Sequence, residues 1–403
     1  MSQPLPARRG WVLCTLLFAA TALSFLDRQV LSVLAPDLMR EFAISNTVYS
    51  RVVFAFVLSY TAMFALGGRL MDALGTKLGL GLSVAVWSAA SAAHALANGP
   101  WVLAISRFFL GVGEGACFPA ATKGAVEWMP PHQRALAVGF ANGGSAFGAV
   151  LAPPLTVWWA GLFGWRGAFV ATAVLGMLWL AAWQMAFRGL PAPPAAPASS
   201  PRVSFSSLLG RSRMRSLMAA RFFFDPVFYF YMFWIPQYLS RERGLSLEEI
   251  GRLTWIPFFA LGVTNIAAGR VSDLLVQRGF EPRRARMTLM LGAALLTPAS
   301  WGASLAATAP AAIGLMSVLM LAHGFWIANF ITLIGDTVEP REVGTAVGLT
   351  GTCGGIAAML SNLAIGPAVD AFGFSPVFLV SAVLYPAAWL TIAATFDFKK
   401  GPA

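Results

Sequence analysis

The sequence predicts an all-α polytopic membrane protein, with twelve transmembrane helices in two pseudo-symmetric six-helix bundles. Three observations predict it. The 403 residues are 58% hydrophobic and only 11% charged, with mean hydropathy +0.70. A soluble domain carries about 25% charged residues, and a core this large would leave too little polar surface to cover itself. Apolar runs of the length a bilayer requires recur along the whole chain. A loop motif also appears twice, at the same place in each half.

The apolar runs place spans near 11–35, 48–70, 78–98, 101–122, 134–159 and 165–187, then near 214–240, 248–270, 286–307, 309–334, 341–367 and 374–396. Between the two sets lies Pro191-Ala-Pro-Pro-Ala-Ala-Pro-Ala-Ser-Ser-Pro201, followed by Arg202, Arg211 and Arg213. A Pro-rich, basic, non-periodic stretch reads as a linker. The expected organisation is therefore an N-terminal bundle (1–187), a cytoplasmic linker (188–213) and a C-terminal bundle (214–403). Arg8-Arg9 before an apolar run resembles a signal peptide, but the run continues to Ala35 and further spans follow, so it is read as the first span.

The net charge of +11 does not mark a nucleic-acid surface, because the basic residues fall in short segments between spans. With the N-terminus in the cytoplasm, 19 of the 28 Lys and Arg lie inside. Arg40, Arg51, Arg166, Arg241, Arg243 and Arg252 lie outside, and Arg28, Arg107 and Arg221 lie in the membrane. This bias puts both termini and the linker in the cytoplasm. Cys14, Cys117 and Cys353 sit far apart in apolar runs and form no CxxC, so they read as buried thiols. No Gly-x-Ser-x-Gly, His-Glu-x-x-His, P-loop or metal-ligand cluster is present, so neither an enzyme nor a cofactor is expected. A sensor would need a soluble output domain longer than the short linker. A monomer in a cytoplasmic (inner) membrane is expected.

Arg107 and Glu114 stand seven residues apart within one span, about two turns and hence on one face. A charge near the bilayer centre costs roughly 2.5–3.5 kcal/mol even on insertion scales, so such groups face a partner or an aqueous cavity. At 1.5 Å per residue, Asp27 lies about 12 Å and Arg107 about 9 Å below the outer ends of their helices. Glu114 lies about 20 Å down, near the midplane. Arg28 is level with Asp27 but rotated about 100° around the first helix. The arithmetic predicts an Asp27–Arg107 ion pair, with Arg28 and Glu114 facing the cavity. On the seventh span, Arg221 and Asp225 are four apart and expected to pair. In the fifth, Gly139, Gly143, Gly144, Gly148 and Ala152 offer small-residue packing.

The duplicated motif reads Gly68-Arg-Leu-Met-Asp72-Ala-Leu-Gly75-Thr-Lys77 after the second span and Gly269-Arg-Val-Ser-Asp273 after the eighth. It resembles the loop signature of the major facilitator superfamily, with Thr76 where that family usually has Arg. The resemblance implies two six-helix halves that rock around a central site, with Gly68, Asp72, Gly75, Lys77 and Asp273 acting in gating. Gly148-Ala-Val-Leu-Ala-Pro-Pro differs from the family's antiporter motif, which points away from antiport.

Ser24-Phe-Leu-Asp27-Arg28-Gln-Val-Leu-Ser32 and Gly113-Glu114-Gly-Ala-Cys-Phe118-Pro119 resemble the first and fourth helices of the anion:cation symporter family. Phe25 stands where a tyrosine is common. Lys123-Gly-Ala-Val-Glu127-Trp128-Met-Pro130 and Asp225-Pro226-Val-Phe-Tyr-Phe-Tyr231-Met-Phe-Trp234-Ile-Pro236 are similar to the hexuronate transporter branch. The resemblance implies proton-driven uptake of a small organic anion, a sugar acid such as galacturonate or glucuronate. An aldonate, sialic acid, tartrate, an aromatic acid or substrate exchange are the alternatives. Arg28 would hold the carboxylate, since a guanidinium offers a bidentate fork. Glu114 would carry the proton, with Asp27 and Arg107 coupling the two events. Tyr60 and Ser145 from the first half, and Tyr229, Trp234, His323, Asn329 and Asn362 from the second, would meet the rest of the substrate.

Overall fold

The computed structural model describes residues 7–188, 205–339 and 342–396. Most of the linker, including Arg202, lies outside the described residues. Fourteen α-helices form: α1 (Ala7–Glu41), α2 (Asn46–His94), α3 (Pro100–Glu114), α4 (Cys117–Trp128), α5 (Arg134–Ala186), α6 (Phe205–Gly210), α7 (Ser212–Arg243), α8 (Leu247–Leu253), α9 (Trp255–Gln277), α10 (Pro282–Leu296), α11 (Ala299–Leu305), α12 (Ala309–Gly335), α13 (Val343–Phe372) and α14 (Ser375–Ala393).

Among the described residues, nine continuous helical stretches are long and apolar enough to cross a membrane. Two of them, α2 and α5, each carry two spans. Their chain reverses at Gly75 (φ +73°) and Gly164 (φ +69°), backbone positions that suit glycine because it has no Cβ. The remaining span is α7, polar at Arg221 and Asp225. Twelve spans result, as the sequence predicts. Three of them are interrupted: the fourth between α3 and α4, directly after Glu114, the eighth at Thr254 and the ninth at Pro298.

The chain divides into two compact units. One comprises Met1–Ser200 with Leu245–Trp255, and the other Pro201–Gly244 with Ile256–Ala403. In the first unit α5 lies along α1. Gly144 and Gly148 press on the carbonyls of Phe18 and Ala22, so any Cβ there would collide with backbone. Thr21 donates to the Ala141 carbonyl at 2.6 Å and Gln29 to that of Ala149 at 3.3 Å, which joins the two helices by polar contacts inside the apolar seam. Gly139 and Gly143 meet nothing within 4 Å, so the expected close packing uses only half of that glycine set. The short α8 belongs to this unit too, with Gly251 against Val157 and a Ser246–Glu249 capping box at its start.

In the second unit α7 packs on α13 and α14, and α10 and α11 pack on α12. Buried tyrosines of α7 place their polar ends on partners rather than in hydrocarbon. Tyr231 meets Ser300 at 2.8 Å, and Tyr238 donates to the Ala303 carbonyl at 2.9 Å.

The α1–α5 seam gives a paired prediction. Gly148→Leu abolishes folded protein, read as loss of a monodisperse peak in detergent chromatography. Gly139→Ala, which has room, keeps or raises the unfolding midpoint, by up to about 1 kcal/mol of helix propensity.

Candidate functional site

The first unit holds its charges in a sealed cluster. Arg28 of α1 donates from Nε at 3.1 Å and Nη2 at 2.9 Å to one oxygen, Oε2, of Glu114 on α3. The two side chains are 2% and 0% exposed. Three rings enclose the guanidinium: Phe25 at 4.5 Å, Tyr60 at 4.4 Å and Phe56 at 5.2 Å from Cζ to centroid. Cations over aromatic faces are attracted by the ring quadrupole, more so when water is excluded. The glycines around Glu114 set its position. Gly111 and Gly115 lie against the Phe56–Phe64 stretch of α2, and Gly113 lies against Ser83 and Trp87 further along the same helix. With no side chains between the backbones, α3 sinks between both arms of α2 and carries Glu114 inward.

This arrangement corrects the expected pairing. Asp27 and Arg107 form no ion pair within 4.0 Å. Asp27 Oδ1 instead accepts from Ser91 at 2.8 Å, and Ser91 also meets Thr172 at 2.8 Å. Arg107 Nη1 donates to the backbone carbonyl of Arg28 at 3.0 Å. Equal depth does not make two residues face each other. Asp27 points to the distal arms of α2 and α5, while the long Arg28 side chain crosses from its own level down to Glu114. Asp27 Oδ2, Glu114 Oε1 and Arg107 Nε and Nη2 are buried with no hydrogen-bond partner among the described residues. The cluster thus holds donors and acceptors in reserve beside its one closed pair.

The first copy of the duplicated motif forms a second charged group. Gly75 turns the chain, and Asp72 Oδ1 meets Lys123 Nζ of α4 at 2.6 Å. Lys123 also reaches the Met71 carbonyl at 2.8 Å and Glu127 at 3.8 Å. Thr76 donates to Glu127 at 2.7 Å, so the residue that departs from the family pattern has its own partner. Lys77 lies 5.3 Å from the Phe187 ring, and Gly68 meets nothing within 4 Å. In the second copy Asp273 is exposed and forms no ion pair among the described residues. There the pair is made by Arg286 with Asp336, at 2.7 Å.

The expected substrate contacts of the second half are buried but engaged. Trp234 Nε1 donates to Asn362 Oδ1 at 3.0 Å, which brings those two candidates together. Asn329 donates to the Phe325 carbonyl at 2.8 Å. His323 shares a short hydrogen bond with Tyr385 and stacks on Phe228 at 4.8 Å, while Tyr229 is 9% exposed beside Phe233. In the first half Ser145 turns back to its own helix, on the Asn142 carbonyl at 2.8 Å. His94 is also fully buried, at the end of α2, stacked on Phe169 at 4.6 Å. Sequence reasoning gave no role to Ser91, Thr172, Tyr385, Lys123 or Glu127. Only the Lys-x-x-x-Glu spacing hinted at the last two.

Membrane-spanning helices in two units, with a sealed ion pair between helices of one of them, define a membrane carrier. The chain belongs to the Major Facilitator Superfamily, whose family model matches residues 17–362. It is a multi-pass membrane transporter and not an enzyme. It is 32% identical over 395 residues to the hexuronate transporter of Escherichia coli K12, covering 93% of this chain and 90% of that one. It is 26% identical over 420 residues to the D-galactonate transporter of Escherichia coli O6:H1, covering 98% and 97%. Its fold is similar to that of a D-xylose–proton symporter, with a TM-score of 0.78, and to that of a bacterial homologue of the human lysosomal transporter Spinster, with a TM-score of 0.73. The symporter is 16% identical and the coverage is 96% of this chain and 98% of that one. The Spinster homologue is 19% identical, with coverage of 98% and 96%.

Ser91→Ala leaves the buried Asp27 carboxyl without its serine donor. The expected loss is about 1–3 kcal/mol, read as a lower unfolding midpoint in detergent. The same change at the exposed Ser207 leaves the midpoint in place.

Proposed function

We propose that the chain imports a sugar acid together with a proton, with a hexuronate such as galacturonate or glucuronate as the substrate. The observation that carries this reading is the Arg28–Glu114 pair. A buried cation left without its anion costs about 3–5 kcal/mol. The guanidinium therefore favours two states: paired with ionised Glu114, or paired with another carboxylate once Glu114 is neutral. Protonation of Glu114 frees the Nε–Nη2 edge, and that edge fits a carboxylate in bidentate fashion. Proton and anion then enter together, because each makes room for the other. Phe25, Phe56 and Tyr60 supply apolar and cation–π surface against the fork.

The likeness to hexuronate transporters over almost the whole chain supports the choice of substrate. The D-galactonate transporter, matched over a still larger share, favours an aldonate as the second reading. In this proposal Asp27 and Arg107 stabilise the intermediate charge states, using the unpartnered atoms they hold beside the pair. Tyr60, Ser145, Tyr229, Trp234, His323, Asn329 and Asn362 remain candidate contacts for the substrate. The Asp72–Lys123–Glu127 group, with Gly68, Gly75, Lys77 and Asp273, acts in gating. Residues 1–187 and 214–403 serve as the two bundles of an alternating-access carrier and 188–213 as its cytoplasmic linker. The carrier works as a monomer in the cytoplasmic membrane.

Two variants test the pair in proteoliposomes. Glu114→Gln holds the neutral state, so counterflow of labelled glucuronate persists while uphill accumulation under an inward proton gradient is lost. Accumulation by that variant would remove Glu114 from coupling. Arg28→Lys keeps charge but not the planar fork and raises KM by about 10- to 100-fold. An unchanged KM would remove Arg28 as the anchor.

A further inference from the structure

The second unit contains a charged pair that the coupling reading does not use. Arg221 Nε donates to Asp225 Oδ2 at 3.0 Å, one turn apart on α7, and Arg221 Nη1 reaches Thr350 Oγ1 of α13 at 3.4 Å. Unlike the sealed pair of the first unit, its side chains are 14% and 12% exposed. Arg221 Nη2 and Asp225 Oδ1 have no protein partner among the described residues. Gly354 of α13 stands where a Cβ would collide with Asp225, so the opposite helix is cut back to admit the carboxylate. Pro226, which has no N–H, leaves the Phe222 carbonyl without its helical donor. Tyr229, four residues beyond Asp225, lies on the same face of α7.

We infer that Arg221, Asp225 and Thr350 form a hydroxyl-binding subsite that selects sugar acids for their vicinal diols. The inference rests on the reading that the chain carries a sugar acid. The pair is neutral as a whole, so it offers no net attraction to a second carboxylate. Its open atoms are one carboxylate acceptor and one guanidinium donor, and adjacent hydroxyls supply both a donor and an acceptor. The Thr350 hydroxyl adds a group that works either way. An ion pair at membrane depth that served only packing would gain by closing all its hydrogen bonds, since unmade ones are costly there. Here the protein leaves one of each sign open.

Cys353 is the probe. It lies on α13 next to Gly354, the residue at which a Cβ would meet Asp225 and Arg221, and it is partly exposed while Cys14 and Cys117 are buried. In proteoliposomes of the full chain, D-glucuronate slows alkylation of Cys353 by a charged thiol reagent, whereas cyclohexanecarboxylate, a ring acid without hydroxyls, does not. Asp225→Asn raises KM for glucuronate by about 10- to 100-fold and leaves inhibition by cyclohexanecarboxylate unchanged. Equal protection by both acids, or none by either with a normal Asp225→Asn KM, overturns the subsite and leaves a structural pair. If Asp225→Asn does not fold, protection of Cys353 in the parent protein decides alone. If glucuronate is neither transported nor protective and Arg28 variants behave as parent, the sugar-acid reading falls and the subsite with it. If Arg28 variants fail as expected while Cys353 is unprotected, the subsite alone falls.

Discussion

One constraint organises the first unit: two opposite charges must exist at membrane depth, out of reach of lipid and closed to water. Desolvating each ion costs several kcal/mol, and their attraction repays that only with good geometry. The protein meets the requirement in three ways. Both donors of one guanidinium edge converge on Oε2 of Glu114. Three aromatic rings take the space that water would fill. Gly111, Gly113 and Gly115 let α3 approach both arms of α2, so that Glu114 arrives within reach of α1. The glycine-rich run is thus the backbone condition for the pair. A side chain at any of these three positions would hold α3 off and lengthen the contact on which the proposed exchange of anions depends.

The fold was legible because membrane insertion leaves few solutions. Backbone groups without water must be satisfied within each segment, so apolar runs of span length become helices. Even the two turns hidden inside α2 and α5 fall at Gly75 and Gly164, between the expected spans. The site was legible only in composition. Asp27, Arg28, Arg107 and Glu114 do share one unit, but the ion pair forms between Arg28 and Glu114, and Asp27 and Arg107 find a serine and a backbone carbonyl instead. Rise per residue gives height, and the partner of a side chain depends on its azimuth and length as well. Asp27 is short and meets the serine and threonine that happen to face it. Arg28 is long enough to ignore its own level. In the second half, Trp234, Asn362 and His323 were picked out as polar groups in apolar runs. Such groups must find partners wherever they sit, so polarity alone does not separate a ligand contact from an interhelical bond.

The two units repeat a motif without repeating its chemistry. The first uses Asp72 of the loop with Lys123 of α4, and Thr76 with Glu127. The second leaves the matching Asp273 in solvent and pairs Arg286 of α10 with Asp336 after α12. A glycine and a turn persist in both copies, because the chain must reverse there. The charges are free to move to other elements, provided that some pair still ties the same end of each unit together.

The membrane-depth charges differ in a way that bears on which of them can couple. Arg221 and Asp225 sit one turn apart on a single helix, so no rearrangement of helices alters their separation. Arg28 and Glu114 belong to different helices, and the bond between them exists only while α1 and α3 hold their present spacing. A pair within one helix can present a fixed pattern of donors and acceptors, which suits recognition. A pair between helices joins charge state to packing: neutralise one partner and the other loses its reason to stay. The proposed coupling of a proton to a conformational change draws on the second kind of pair. In this chain, among the described residues at membrane depth, Arg28 with Glu114 is the pair of that kind.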